Sequence, residues 1–267
     1  MNANAQSSAD EPLVLRDRRG GVVTLTLNRP TQYNSLSRAL MTDVQQALDD
    51  IAQDETARVL VIAGAGKAFC AGHDLKEMRT DLSREFQRQL FDQCSRIMLS
   101  LTRLPQPVIA RVHGIATAAG CQLVSMCDLA VASTEARFAV SGVKYGLFCT
   151  TPAVGLARNL GRKQAMEMLL TGDFIDAETA LARGLVNRVV PPERLDGEIE
   201  ALAASIVAKS PVAVRLGKQA FYRQIEMGLA EAYEHACEVM TLNTQTADAR
   251  EGIDAFLQKR QPTWRGR

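Results

Sequence analysis

The chain has 267 residues, 46% hydrophobic and 23% charged, a balance that suits a globular protein with one large core or a core plus an appendage. A formal net charge of +1 removes the electrostatic case for nucleic acid or an acidic membrane surface, and no apolar run approaches the roughly 20 residues of a membrane span. The six cysteines are scattered without a C-x-x-C pair and read as buried thiols of a reducing compartment; with a polar stretch at 1–12 that lacks a signal-peptide pattern, a cytoplasmic protein is expected.

In chain order, Leu13 to Arg16 and Val22 to Leu27 flank Arg19-Gly20-Gly21, and Val23, Leu25 and Leu27 alternate with threonines, which predicts a hairpin. Ser37 is placed to cap a helix whose apolar face is Leu40, Met41, Val44, Leu48 and Ile51. Arg58 to Ala63 is a continuous apolar strand, and a second helical pattern runs through Phe86, Leu90, Ile97 and Leu101 until Pro105 breaks it. Val108 to Val112 then supplies a strand, Cys121 to Cys127 a helix, and Leu129 to Ala132 another buried strand. Alternation of this kind predicts an α/β fold with helices packed on mainly parallel strands. Residues 142–155 read as a loop rich in Gly, Thr and Pro, and 158–172 as one helix. From Leu195 to Leu257 nearly everything reads as helix, interrupted at Ser210-Pro211 and near Gly228. The expected organisation is a disordered tail at 1–12, a mixed body at 13–194, and a helical section at 195–267 that packs on the body or on a neighbouring subunit.

Two stretches carry chemistry. Between Pro107 and Ser133 a strand passes through Ala116-Thr117-Ala118-Ala119-Gly120 into a helix, which brings bare N–H groups to a helix N-terminus, the geometry of an oxyanion site. The alternative is that Ala118, Ala119 and Gly120 are small only because another element packs against them. Between Lys67 and Met78, Ala71-Gly72-His73-Asp74 is a second small-residue turn that offers another N–H near His73. Lys67 and Lys76 flank it, and two cations around a phosphate-sized gap suit a nucleotide-bearing ligand; a solvated surface charge is the other reading for each. His73, His113 and His235 are not spaced as ligands, so no metal or redox cofactor is expected.

The stretch KAFCAGHDLKEM at 67–78, with His113-Gly114-Ile115-Ala116 and Gly120-Cys121-Gln122-Leu123 through Cys127-Asp128, resembles the crotonase (enoyl-CoA hydratase/isomerase) superfamily. The likeness covers nearly the whole chain after residue 12, and the segments at 146–152 and 259–264 look most like one branch of it. The resemblance implies a spiral of ββα units with a helical C-terminal trimerisation section, trimers that pair into hexamers, and chemistry on an acyl-coenzyme A or enoyl-coenzyme A thioester, the coenzyme being part of the substrate. It further implies a thioester oxygen held by the backbone N–H groups matching His73 and Ala119. The coenzyme A positions it carries over are Lys67, Ala71, His73, Asp74, Leu75 and Lys76, with Phe256 and Lys259 at the C-terminal end, often presented by a neighbouring subunit.

The departures bear on the reaction. The two glutamates of a hydratase of this family fall at Gln122 and Gly142 here; glutamine takes no proton at neutral pH and glycine brings no side chain. Glu77, Asp128 and Glu135 lie nearby in sequence and read as surface or structural carboxylates. Three readings stay open: altered thioester chemistry with Tyr145, Cys149, His73 or water as proton carrier, a weak hydratase, and a non-catalytic acyl-CoA binding or scaffold protein. The expectation is residual or altered thioester chemistry, because both turns are intact.

Overall fold

Gly20, at φ +58°, turns β1 (Val14–Arg19) back on β2 (Val22–Leu27), and the alternation of β2 buries Val23, Leu25 and Leu27. The structure, a computed structural model, describes residues 11–267, so residues 1–10 of the expected tail lie outside the described residues. Helix α1 (Arg38–Ala52) starts at Ser37, whose Oγ accepts the Leu40 N–H at 3.2 Å, a cap worth about 1 kcal/mol. Its five predicted apolar residues are the five it buries. The chain continues through β3 (Val59–Gly64), β4 (Ala68–Cys70), α2 (Leu75–Thr80), α3 (Arg84–Arg103), β5 (Val108–Val112), β6 (Ile115–Thr117), α4 (Ala119–Met126), β7 (Leu129–Ser133) and β8 (Arg137–Ala139). After a 3₁₀ turn at Ser141–Tyr145 come α5 (Thr150–Asn159), α6 (Arg162–Thr171), β9 (Ile175–Asp176), α7 (Ala177–Ala182) and β10 (Arg188–Val190). Four helices close the chain, α8 (Leu195–Val207), α9 (Pro211–Gln224), α10 (Leu229–Thr244) and α11 (Ala247–Leu257).

One sheet has six strands in the order β1-β2-β3-β5-β7-β10, parallel from β2 onward. Its strand β3 is apolar throughout because both of its faces are covered. From β3, Leu60 and Ile62 join the main core, while Val59 and Val61 meet Leu195, Ile199, Leu202 and Ala203 of α8 on the other face. The second sheet, β4-β6-β8-β9, is parallel across its first three strands. The turns that follow β4, β6 and β8 therefore emerge side by side at the carboxyl ends of neighbouring parallel strands, where open α/β sheets present ligand sites.

Two sequence expectations need correction. The stretch at 142–155 is no plain loop, since it holds the 3₁₀ turn and the start of α5, and 158–172 is two helices meeting at Leu160-Gly161. The break has a local cause: Asn159 turns its amide back to the carbonyls of Ser125 and Gly155, both at 2.8 Å, and Gly161 opens the next helix.

Candidate active site

Cys70, Gly72, Ala118 and Gly120 bring the first two turns together by direct backbone packing. A side chain at Gly120 would begin 2.0 Å from the Cys70 carbonyl oxygen, so this residue is glycine because β4 lies against it. Gly72, at φ +88°, is the reciprocal case: a Cβ there would sit 2.8 Å from the Cβ of Ala118 and 3.2 Å from the Ala119 nitrogen. Close packing and exposed backbone are here one feature, and the two readings of the small residues do not compete.

Each turn is clamped so that one N–H is left over. Ala118 has the strained angles φ 50° and ψ −119°, held by its N–H bond to the Ala139 carbonyl at 2.9 Å in β8. Ala119 then begins α4 with its N–H pointing out of the first turn. On the other side, the Leu36 N–H donates to the Gly72 carbonyl at 2.7 Å and the Asp74 N–H to the Leu36 carbonyl at 3.2 Å. His73 lies between, and among the described residues neither its N–H nor that of Ala119 has an acceptor. Two such donors at the wall of a cleft suit an oxygen that gains negative charge. Asn34, fully buried, holds the approach to β4 by donating to the carbonyls of Ala65 and Ala68, both at 2.8 Å.

The cleft over these turns encloses about 400 Å³. Ala71, His73, Leu75, Ala119 and Gly142 of the predicted site line it, together with Tyr145 and Cys149. Sequence reasoning passed over Phe91, Met78 and Ser141, which also line it. Phe91 had a readable signal, an aromatic one position off the apolar stripe of α3 at Leu90, Cys94 and Ile97. No aspartate or glutamate is among the lining residues. The His73 imidazole stands edge-on to Phe91, with ring centroids 5.4 Å apart, and both ring nitrogens are buried without a partner. Burial lowers its pKa to about 4, so the ring is neutral. Cys149 is half-buried, and burial raises its thiol above the ordinary value.

Other predicted residues lie elsewhere. The Asp74 carboxylate caps α2, accepting from the N–H groups of Lys76 and Glu77, and pairs with Arg29 at 3.0 Å, and Asp74 does not line the cleft. Gln122 is buried in α4 and does not line the cleft, and its Oε1 is without a partner. Lys67 and Lys76 are exposed near the turn. Phe256, 82% exposed, and Lys259 stand at the end of α11 and do not line the cleft of their own chain. The three doubtful carboxylates are accounted for: Glu77 accepts the Arg38 N–H at 2.8 Å, Asp128 pairs with Lys218 at 2.6 Å, and Glu135 faces solvent. A larger opening of about 720 Å³ between the hairpin and α8 has its charges paired internally, Arg19 with Glu200 and Arg111 with Asp196.

A mixed α/β chain with its turns gathered at one end of a short parallel sheet is the architecture of the enoyl-CoA hydratase/isomerase family, whose sequence pattern matches residues 17–267, and the chain belongs to that family. Within it the chain falls in the branch of enoyl-CoA hydratase domain-containing protein 3. The Xenopus laevis protein of that name, designated mitochondrial, is 44% identical over 253 residues, covering 95% of this chain and 86% of the relative. The crystal structure of the human protein superposes with a TM-score of 0.92 at 42% identity, over 95% of this chain and 100% of that one. An enoyl-CoA hydratase from Mycobacterium smegmatis superposes with a TM-score of 0.94 at 58% identity, over 95% and 99% of the two chains. The mitochondrial designation, which the mouse, human and zebrafish proteins of the branch share, overturns the cytoplasmic expectation. The expectation of six buried thiols is also corrected, since Cys237 is exposed and Cys149 half-buried, and thiols of either kind do not name a compartment.

Proposed function

We propose that the cleft binds the acyl part of a coenzyme A thioester, with the thioester oxygen against the N–H groups of His73 and Ala119, and that hydration of a double bond is at best slow there. The observation that carries this reading is a pair of unpartnered N–H donors at the wall of a cleft lined by no carboxylate. One such donor contributes about 3 kcal/mol to a transition state that builds charge on oxygen. Water attack also needs a group to accept a proton and a group to deliver one, each worth about 10²–10⁴-fold, and Gln122 and Gly142 supply neither. In this reading the exposed Lys67 and Lys76 meet the phosphates, joined by Phe256 and Lys259 of a neighbouring subunit. No separate cofactor enters, since coenzyme A arrives with the substrate.

The test is incubation with a panel of acyl- and enoyl-CoA thioesters followed by mass spectrometry of the products. Crotonyl-CoA is expected to bind and to be hydrated at less than about 0.1 per second, two orders below the roughly 10 per second typical of enzymes. Hydration at the typical rate would mean that another acid serves the site. Binding with no product from any thioester would reduce the protein to an acyl-CoA binder, and calorimetry with no binding at all would remove the reading altogether.

A further inference from the structure

Gly142 leaves no empty space behind it. A Cβ built there would lie 2.6 Å from Cys149 Sγ, so the thiol occupies the place where a side chain at 142 would begin. Cys149 also stands at the N-cap of the ten-residue α5, and its side chain makes no capping hydrogen bond. The dipole at that end favours negative charge, which stabilises a thiolate when one forms. A second observation lies in the same cleft: the backbone N–H groups of His73 and Ala119, neither with an acceptor among the described residues, belong to residues that line it together with Cys149. Of the cleft's other titratable side chains, His73 is neutral and set edge-on to Phe91, and Tyr145 is 67% exposed and turned largely to solvent.

Resting on the acyl-thioester reading above, we propose that Cys149 is the proton carrier at the α-carbon of the bound acyl group. Burial keeps Cys149 mainly as the thiol, so the base is its minority ionised form, left after the S–H proton has gone to solvent; in the forward step the α C–H bond breaks and its proton passes to that thiolate. The electron pair moves onto the thioester oxygen, where the His73 and Ala119 N–H groups hold it. In the return step the S–H gives a proton back to the α-carbon and the thiolate is restored. Electrons balance with no oxidant or second substrate, and the net event is exchange of an α-hydrogen with solvent through sulfur. The substrate class is an acyl-CoA thioester with at least one α-hydrogen.

The full chain in D₂O with butyryl-CoA reads this directly, by mass spectrometry of deuterium in the acyl group. The wild type is expected to incorporate deuterium, Cys149→Ala to lose the exchange by about 100-fold or more, and Cys149→Ser to fall between them. Cys237→Ala, at an exposed thiol of α10, is expected to exchange at the wild-type rate. Calorimetry with butyryl-CoA is run on each variant, and affinities for the Cys149 variants within about threefold of wild type show that the loss lies in the proton step. Cys149→Ala or Cys149→Ser exchanging at the wild-type rate overturns the inference, as does a wild type that binds butyryl-CoA and exchanges nothing. A wild type that fails to bind butyryl-CoA instead overturns the thioester reading beneath it.

Discussion

The His73 backbone N–H is left without an acceptor while the ring is kept neutral in an apolar corner, and that separation has a measurable consequence. Its pKa lies near 4 in the fold against 6.5 in the unfolded chain, so acid protonates the unfolded state first. The stability contributed by the neutral ring is fully present above about pH 6.5 and is lost as pH falls toward 4. Urea unfolding of wild type and His73→Phe between pH 7 and 4.5 is expected to differ in pH dependence by about 2–3 kcal/mol, the wild type losing more. Parallel curves would mean that the ring is solvated. Gly142 is a second residue whose constraint is local. Its φ is outside the left-handed region, so the obstacle to a side chain is space, from the Leu147 carbonyl at 2.5 Å as well as Cys149 Sγ. Gly142→Ala is expected to cost about 1–3 kcal/mol in chemical denaturation, and a loss below about 0.5 would show that the 145–149 segment gives way. A glutamate at this position therefore requires that segment to move, which a change at 122 alone does not.

Among the elements, α9 is tied to the body by one buried ion pair. The Lys218 ammonium donates to the carbonyls of Leu101 at 2.8 Å and Gln106 at 2.9 Å and to the Asp128 carboxylate at 2.6 Å. Asp128 also accepts the Val108 N–H at 2.6 Å, so one carboxylate joins β5, the start of β7 and the helical section. Burial pulls the Lys218 pKa down and Asp128 holds it up, which leaves the charge dependent on its partner. Asp128→Ala is expected to destabilise by about 3–5 kcal/mol in urea, because it strands an ammonium in the interior. Asp128 was legible beforehand only as structural, and its partner ninety residues downstream was not legible at all. The helices themselves were legible where an apolar stripe ran against a good cap, as in α1. Legibility failed at 142–172, where Gly161 and the side chain of Asn159 end one helix and start another without interrupting the apolar pattern.

For the whole molecule, the helical section is unevenly covered. Helix α8 buries Leu195, Ile199, Leu202 and Ala203 on its own sheet, whereas α10 buries no residue, and Leu229, Tyr233 and Met240 there are 77%, 68% and 62% exposed. Apolar area of this extent on helices is suited to a second copy of the chain. Light scattering at micromolar concentration is expected to give three or six times the 29.1 kDa of one chain, and a value of 29.1 kDa would rule the assembly out. By itself the sequence determined the α/β class and the two small-residue turns, because periodicity and glycine placement are local properties. Only the tertiary structure decided that β4, β6 and β8 lie side by side, that Gly72 therefore packs on Ala118, and that Cys149 fills the space beside Gly142. Those relations join residues brought together by strand pairing across tens of positions, and no local pattern encodes which strand becomes the neighbour of which.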